Sequence, residues 1–147
     1  MADSRVVGVV ELFSRSSRRA DPGVTELAGH LGGILGTVFR RQEGRKELDK
    51  ALERFEALFT LLPLPAVVAS LPEGRYVEVN RRFEETFGYA RDQVLGRTEV
   101  DLGLWKDAEQ RRRVLARVPR APDYVSTEVV LAARDGRTVQ GRATVTR

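Results

Sequence analysis

A chain of 147 residues, 41% of them apolar and 31% charged, has the length of one domain, or of one small domain plus part of another, and enough apolar content for a packed core, which excludes disorder throughout. It contains no cysteine, so disulfides, thiolate nucleophiles and thiolate metal sites are excluded together. The net charge of +4 and a pI near 9.9 raise nucleic acid as a partner, but the basic residues are scattered, nearly all arginine and interleaved with acids. Without a reading helix or a basic, aromatic surface, nucleic acid is set aside.

Residues 6–13, Val-Val-Gly-Val-Val-Glu-Leu-Phe, predict a strand, closed by Ser14 to Ser17. The N-terminus lacks the charged start, apolar core and small-residue cleavage site of a secretory signal, and the apolar run from Val24 to Phe39 is broken by Glu26, His30 and Thr37. The expectation is a soluble, cytoplasmic protein with no membrane segment in this chain. Asp21-Pro22-Gly23 predicts a turn, and a helical pattern starts near Val24. The order of strand, arginine-containing loop, Asp-Pro and helix resembles the last strand and helix of a GAF domain. That resemblance implies a domain remnant over residues 1–43.

Alternating steps of four and three from Leu27 give Leu31, Ile34, Val38, Arg41, Arg45, Leu48, Leu52, Phe55, Phe59 and Leu62. Only the arginines interrupt this apolar seam. Such a repeat predicts a connector helix over 44–60 that pairs with a second copy through Leu48, Leu52, Phe55 and Phe59, giving a homodimer. Two separate amphipathic helices in a shared register fit the same spacing. Gly44 reads equally as a hinge or as a helix end. Gly29, Gly32, Gly33 and Gly36 each weaken a helix by about 1 kcal/mol relative to alanine and so predict close packing there.

Pro63 and Pro65 end the second helical stripe. Ala66–Ser70 and Tyr76–Val79, joined through Pro72-Glu73-Gly74, predict a hairpin. Asn80 is placed to cap the helix that follows, Glu84 and Glu85 lie near its start, and Gly88 and Gly96 suit left-handed helix ends. The run Tyr-Val-Glu-Val-Asn-Arg-Arg-Phe-Glu-Glu-Thr-Phe-Gly-Tyr-Ala-Arg-Asp-Gln-Val-Leu-Gly-Arg-Thr from Tyr76 to Thr98 resembles the PAS sensor family, in which a V-x-V-N strand passes into a helix and then into G-Y-S-x-E-E-L-x-G-R. Ala90 departs from the usual Ser or Thr, and loss of that cap weakens the second small helix by about 1 kcal/mol.

Within the same resemblance, Asp-Leu-Gly-Leu-Trp from Asp101 leads into a long helix. Asp107 is placed to cap it, it runs to about Val118, and Arg111 to Arg113 face outward. Asp135-Gly136, between strands Tyr124–Arg134 and Thr138–Arg147, predicts a type I′ hairpin. In the second of these strands Val139, Gly141, Ala143 and Val145 share the core face. The resemblance implies an α+β fold, a PAS-like antiparallel sheet with flanking helices preceded by a long helical connector, with the PAS domain over 61–147. The family's sheet has one strand more, so an open edge is expected beside the last strand.

No catalytic constellation emerges, and no catalytic residue or metal site is assigned. His30, the single histidine, lacks the acid and proline that accompany a phosphoacceptor, and reads as a partly buried or interfacial residue. Haem has no axial histidine near the core, a cysteinyl-flavin adduct has no cysteine, and no cofactor is assigned. An unknown small ligand, or non-covalent flavin, remains compatible with a pocket near Phe87, Trp105, Leu131, Gly141 and Ala143, unless those side chains fill the space themselves. The resemblance implies a signal-transduction module of a multidomain bacterial sensor, such as a histidine kinase or a diguanylate cyclase. Its output domain would lie outside this chain and the signal would pass through the paired connector. A monomeric ligand-binding PAS receptor is the alternative.

Overall fold

Gly8–Ser14 forms strand β1, Pro22–Phe39 helix α1 and Arg45–Leu61 helix α2; Ala66–Ser70 and Tyr76–Val79 form β2 and β3. Arg81–Phe87, Arg91–Val94 and Ala108–Arg117 form α3, α4 and α5, and Tyr124–Ala132 and Thr138–Thr146 form β4 and β5. The computed structural model describes residues 8–14, 22–39, 45–117 and 124–146. Five strands make one antiparallel sheet in the order β3-β2-β1-β5-β4. The chain's first strand therefore lies at the centre of the sheet, between β2 and β5.

The edge of β5 expected to stand open is instead paired with β1, from Val10 opposite Thr146 to Ser14 opposite Arg142. Because the other edge of β1 is paired with β2, from Gly8 opposite Ser70 to Leu12 opposite Ala66, the strand read as a remnant of a separate domain shares its sheet with residues 66–146. Its sequence allows this. Val9 and Phe13 point to the inner face with α3, α4 and α5, while Val10 and Leu12 point to the outer face, so both sides of β1 are apolar enough to be buried.

The outer face is covered by α1 and α2, which pack against each other. Ala28 and Leu31 of α1 and Phe55 and Phe59 of α2 are buried with Val10, Leu12, Ala66 and Val68. This corrects the continuous outward seam. Phe55 and Phe59 stack on each other, with ring centroids 5.0 Å apart, and face the chain's own sheet, whose outer apolar stripe needs a cover. Leu48 is half-buried and Leu52 is 42% exposed. Arg41 and the hinge candidate Gly44 lie outside the described residues. The close packing expected of the α1 glycines is absent at Gly29 and Gly33, where an added Cβ would meet nothing within 4 Å. His30 is exposed.

The β4–β5 turn is also not the expected type. Gly136 has φ 83° but Asp135 does not have a positive φ, whereas type I′ requires both. The Gly136 N–H donates to Ala133 O at 3.0 Å and the Ala133 N–H to Arg137 O at 2.8 Å. This is a type I turn closed by a left-handed glycine, the three-residue hairpin with a bulge.

Candidate functional site

Asn80 organises the approach to the inner face. Its Oδ1 accepts from the Phe83 N–H at 3.0 Å and the Ala66 N–H at 2.9 Å, and its Nδ2 donates to Phe59 O at 3.3 Å and Leu64 O at 2.8 Å. One buried amide thus caps α3 and ties it to the start of β2 and the end of α2. Gly88 ends α3 at φ 76°, its N–H donating to Glu84 O at 2.8 Å. Ala90 gives α4 no side-chain cap, as expected. The deficit is met from elsewhere: Glu84 Oε1 accepts the Arg91 N–H at 2.6 Å and Gln93 Oε1 accepts the Ala90 N–H at 3.1 Å. Asp107 caps α5 as the sequence implies, accepting from Glu109 and Gln110 N–H at 2.9 and 3.2 Å.

The expected pocket residues divide. Phe87 is fully buried and packs edge-on against Phe13 of β1, centroids 5.7 Å apart, and against Phe83 at 4.8 Å. Ala143 sits opposite Phe13 in the sheet. Trp105 is half-buried against the core and bridges to Leu131 through its backbone. Phe13 therefore occupies space that the sequence left to a ligand. Leu131 and Gly141 instead line a cleft of about 430 Å³, floored by Phe13, Val129 and Val139 and rimmed by Pro63, Pro65, Arg82, Glu85 and Arg137. Its charged rim is internally paired: Arg82 with Glu85 at 2.9 Å, and Arg137 with Asp135 at 2.8 Å.

A second feature of the inner face is polar and buried. Glu11 of β1 is 7% exposed and Glu99 3%. Glu99 Oε1 accepts from Arg111 Nε at 2.8 Å, whereas its Oε2 is buried without a hydrogen-bond partner. Arg111, read as part of a solvated arginine face, turns inward; Arg112 and Arg113 stay exposed and pair with Glu109. Burial pushes the Glu11 carboxyl up to about 8, the Glu99 carboxylate adds to the effect and the Arg111 guanidinium opposes it. Burial, and then the carboxylates of Glu11 and Glu99, raise the Tyr76 phenol well above its ordinary value, against the pull of Arg111. Sequence reasoning missed this cluster. The one signal was a lone acid inside an apolar strand, at the same parity as Val9 and Phe13.

Among the described residues, no group of three or more His, Asp or Glu side chains is placed to hold a metal ion. No helix among them is long and apolar enough to cross a membrane. The PAS domain of an HTR-like protein from Haloarcula marismortui is 28% identical to this chain, with a TM-score of 0.52, covering 69% of this chain and 94% of its own. A PAS domain from Colwellia psychrerythraea, 18% identical with a TM-score of 0.50, covers 65% and 94% and shares the fold. No curated protein matches significantly. The family profile described as PAS fold matches residues 53–147, and with the five-stranded sheet, the Asn80 junction and the glycine-ended α3 in place, the chain belongs to the PAS family of sensor domains.

Proposed function

We propose that this chain is the sensing segment of a larger signalling protein, of the kind represented by histidine kinases and diguanylate cyclases, with its output domain outside the chain. A change on the inner face of the sheet passes through β1 and β2 to the α1–α2 pair. The observation that supports this is the alternation of β1, whose Val9, Glu11 and Phe13 lie among the inner core while Val10 and Leu12 lie under Leu31, Phe55 and Phe59. A two-sided strand packed on both faces tends to shift as a unit, because its side chains are locked into both layers. The segment that resembles the end of a GAF-like domain supplies this strand and α1.

The relay is tested by Phe13→Ala, which disturbs only the inner side. Hydrogen exchange is expected to quicken at the α2 amides around Phe55 and Phe59 as well as at α3. A response confined to α3 would defeat the relay. Delivery of the signal through paired copies would use Leu48 and Leu52, since Phe55 and Phe59 already face the sheet. Leu52→Asp is then expected to turn a sedimenting dimer into a monomer, and a wild-type monomer at high micromolar concentration would remove the pairing.

The cleft favours a second reading, a small-molecule receptor acting as a monomer, because its floor is apolar and its mouth is open beside α3. Native mass spectrometry of freshly purified protein separates the two: a retained molecule, released on unfolding, supports the receptor.

A further inference from the structure

Glu11 sits where an ionised carboxylate is least welcome. Directly across β1 its partners are Val67 on β2 and Val145 on β5, both buried, and along its own strand its inner-face neighbours are Val9 and Phe13. The charged groups acting on it are Glu99 from the loop before α5 and Arg111 from α5 itself, and its own charge acts on the Tyr76 phenol of β3. Arg111 is already bonded to Glu99 at 2.8 Å. With one guanidinium for two carboxyls, the cluster is neutral when it holds one proton and carries a buried negative charge when it holds none. The buried Glu99 Oε2 has no hydrogen-bond partner, so even the ion pair leaves acceptor capacity unmet.

We propose that this cluster is a one-proton binding site, and that loss of the proton from Glu11 loosens β1 from the centre of the sheet. The inference deepens the relay described above by naming its stimulus, mildly alkaline pH, and rests on that reading for its consequence. The direction follows from the two ends of the equilibrium. In a released strand Glu11 faces water and titrates near its ordinary 4.5, whereas in the sheet it holds its proton up to about 8. Below the lower value both forms are protonated and pH has no effect. Between the two, release of β1 also releases a proton, so the seated strand loses its advantage steadily as pH rises; above about 8 the loss is complete.

Hydrogen exchange on the whole chain, corrected for the intrinsic pH dependence of exchange, tests this. Between about pH 6 and about pH 8.5 the protection of the Val9–Phe13 amides is expected to fall on the order of 100-fold. In Glu11→Gln the fall at β1 should vanish. The proposal is overturned if β1 protection is indifferent to pH or if Glu11→Gln keeps the response. Should that variant fail to fold, Glu99→Gln decides: removing the like charge and freeing Arg111 must move the midpoint of the β1 transition to lower pH, and an unmoved midpoint sinks the idea. A β1 response with α2 unmoved supports the proton site and counts against the relay alone.

Discussion

Removal of residues 1–14 is expected to abolish cooperative unfolding. The deletion takes out the central strand and with it Val9, Val10, Leu12 and Phe13, all buried. At about 1.5–3 kcal/mol for each such side chain, the lost burial is about 8 kcal/mol, comparable to the whole stability of a domain at about 5–15 kcal/mol. It also strips the paired edges of β2 and β5, leaving two open strands prone to association. Urea unfolding followed by circular dichroism should show a broad transition or none, with aggregation in sizing. A truncated chain that unfolds with the wild-type midpoint and slope would mean that the central placement of β1 is dispensable.

Asn80 carries the next largest effect. Asn80→Ala deletes four hydrogen bonds at once and leaves the N–H groups of Ala66 and Phe83 and the carbonyls of Phe59 and Leu64 without their side-chain partner. A loss of about 3 kcal/mol, or about 10 °C in the thermal midpoint, is expected. Asn80→Asp keeps an acceptor for the two N–H groups but turns a negative charge toward the two carbonyls. Its deficit relative to wild type should shrink as pH falls toward 4, because a protonated carboxyl regains a donor and the folded form raises that carboxyl's pKa above its ordinary value of about 3.9. Paired thermal melts at pH 4 and 7 check the sign; an equal deficit at both would show that the donor bonds contribute nothing.

These features differ in how far the sequence announces them. Asn80 and Asp107 were legible as caps because the bonds they make to their own helices span two or three residues. The core face of β5 was legible because period-two alternation is local, and Ala143 and Val145 are buried on it. The other bonds of Asn80, to Phe59, Leu64 and Ala66, depend on segments that meet only in the fold. Residues 6–13 declare a strand but not its neighbours. The apolar seam of α2 was real, yet periodicity cannot say whether a stripe faces another copy or the chain's own sheet. Arg111 looked like a member of a solvated run because its partner, Glu99, lies in a loop with no pattern. The Asp135-Gly136 pair marked the turn correctly, but its type is set by the three-residue connection that the β4–β5 register demands. Of the expected pocket residues, Leu131 and Gly141 line the cleft, while Phe87 packs against a ring contributed by β1.

The place of β1 also dictates an order of assembly. Val10 meets Thr146, so the pairing that closes the sheet joins segments separated by nearly the whole chain. The hairpins β2–β3 and β4–β5 close over short loops and form early; β1 meets β2 on one edge, while its other edge waits for β5. The helical pair that follows it, α1 and α2, covers one of its faces from nearby in sequence, which shields that strand until its distant neighbour arrives.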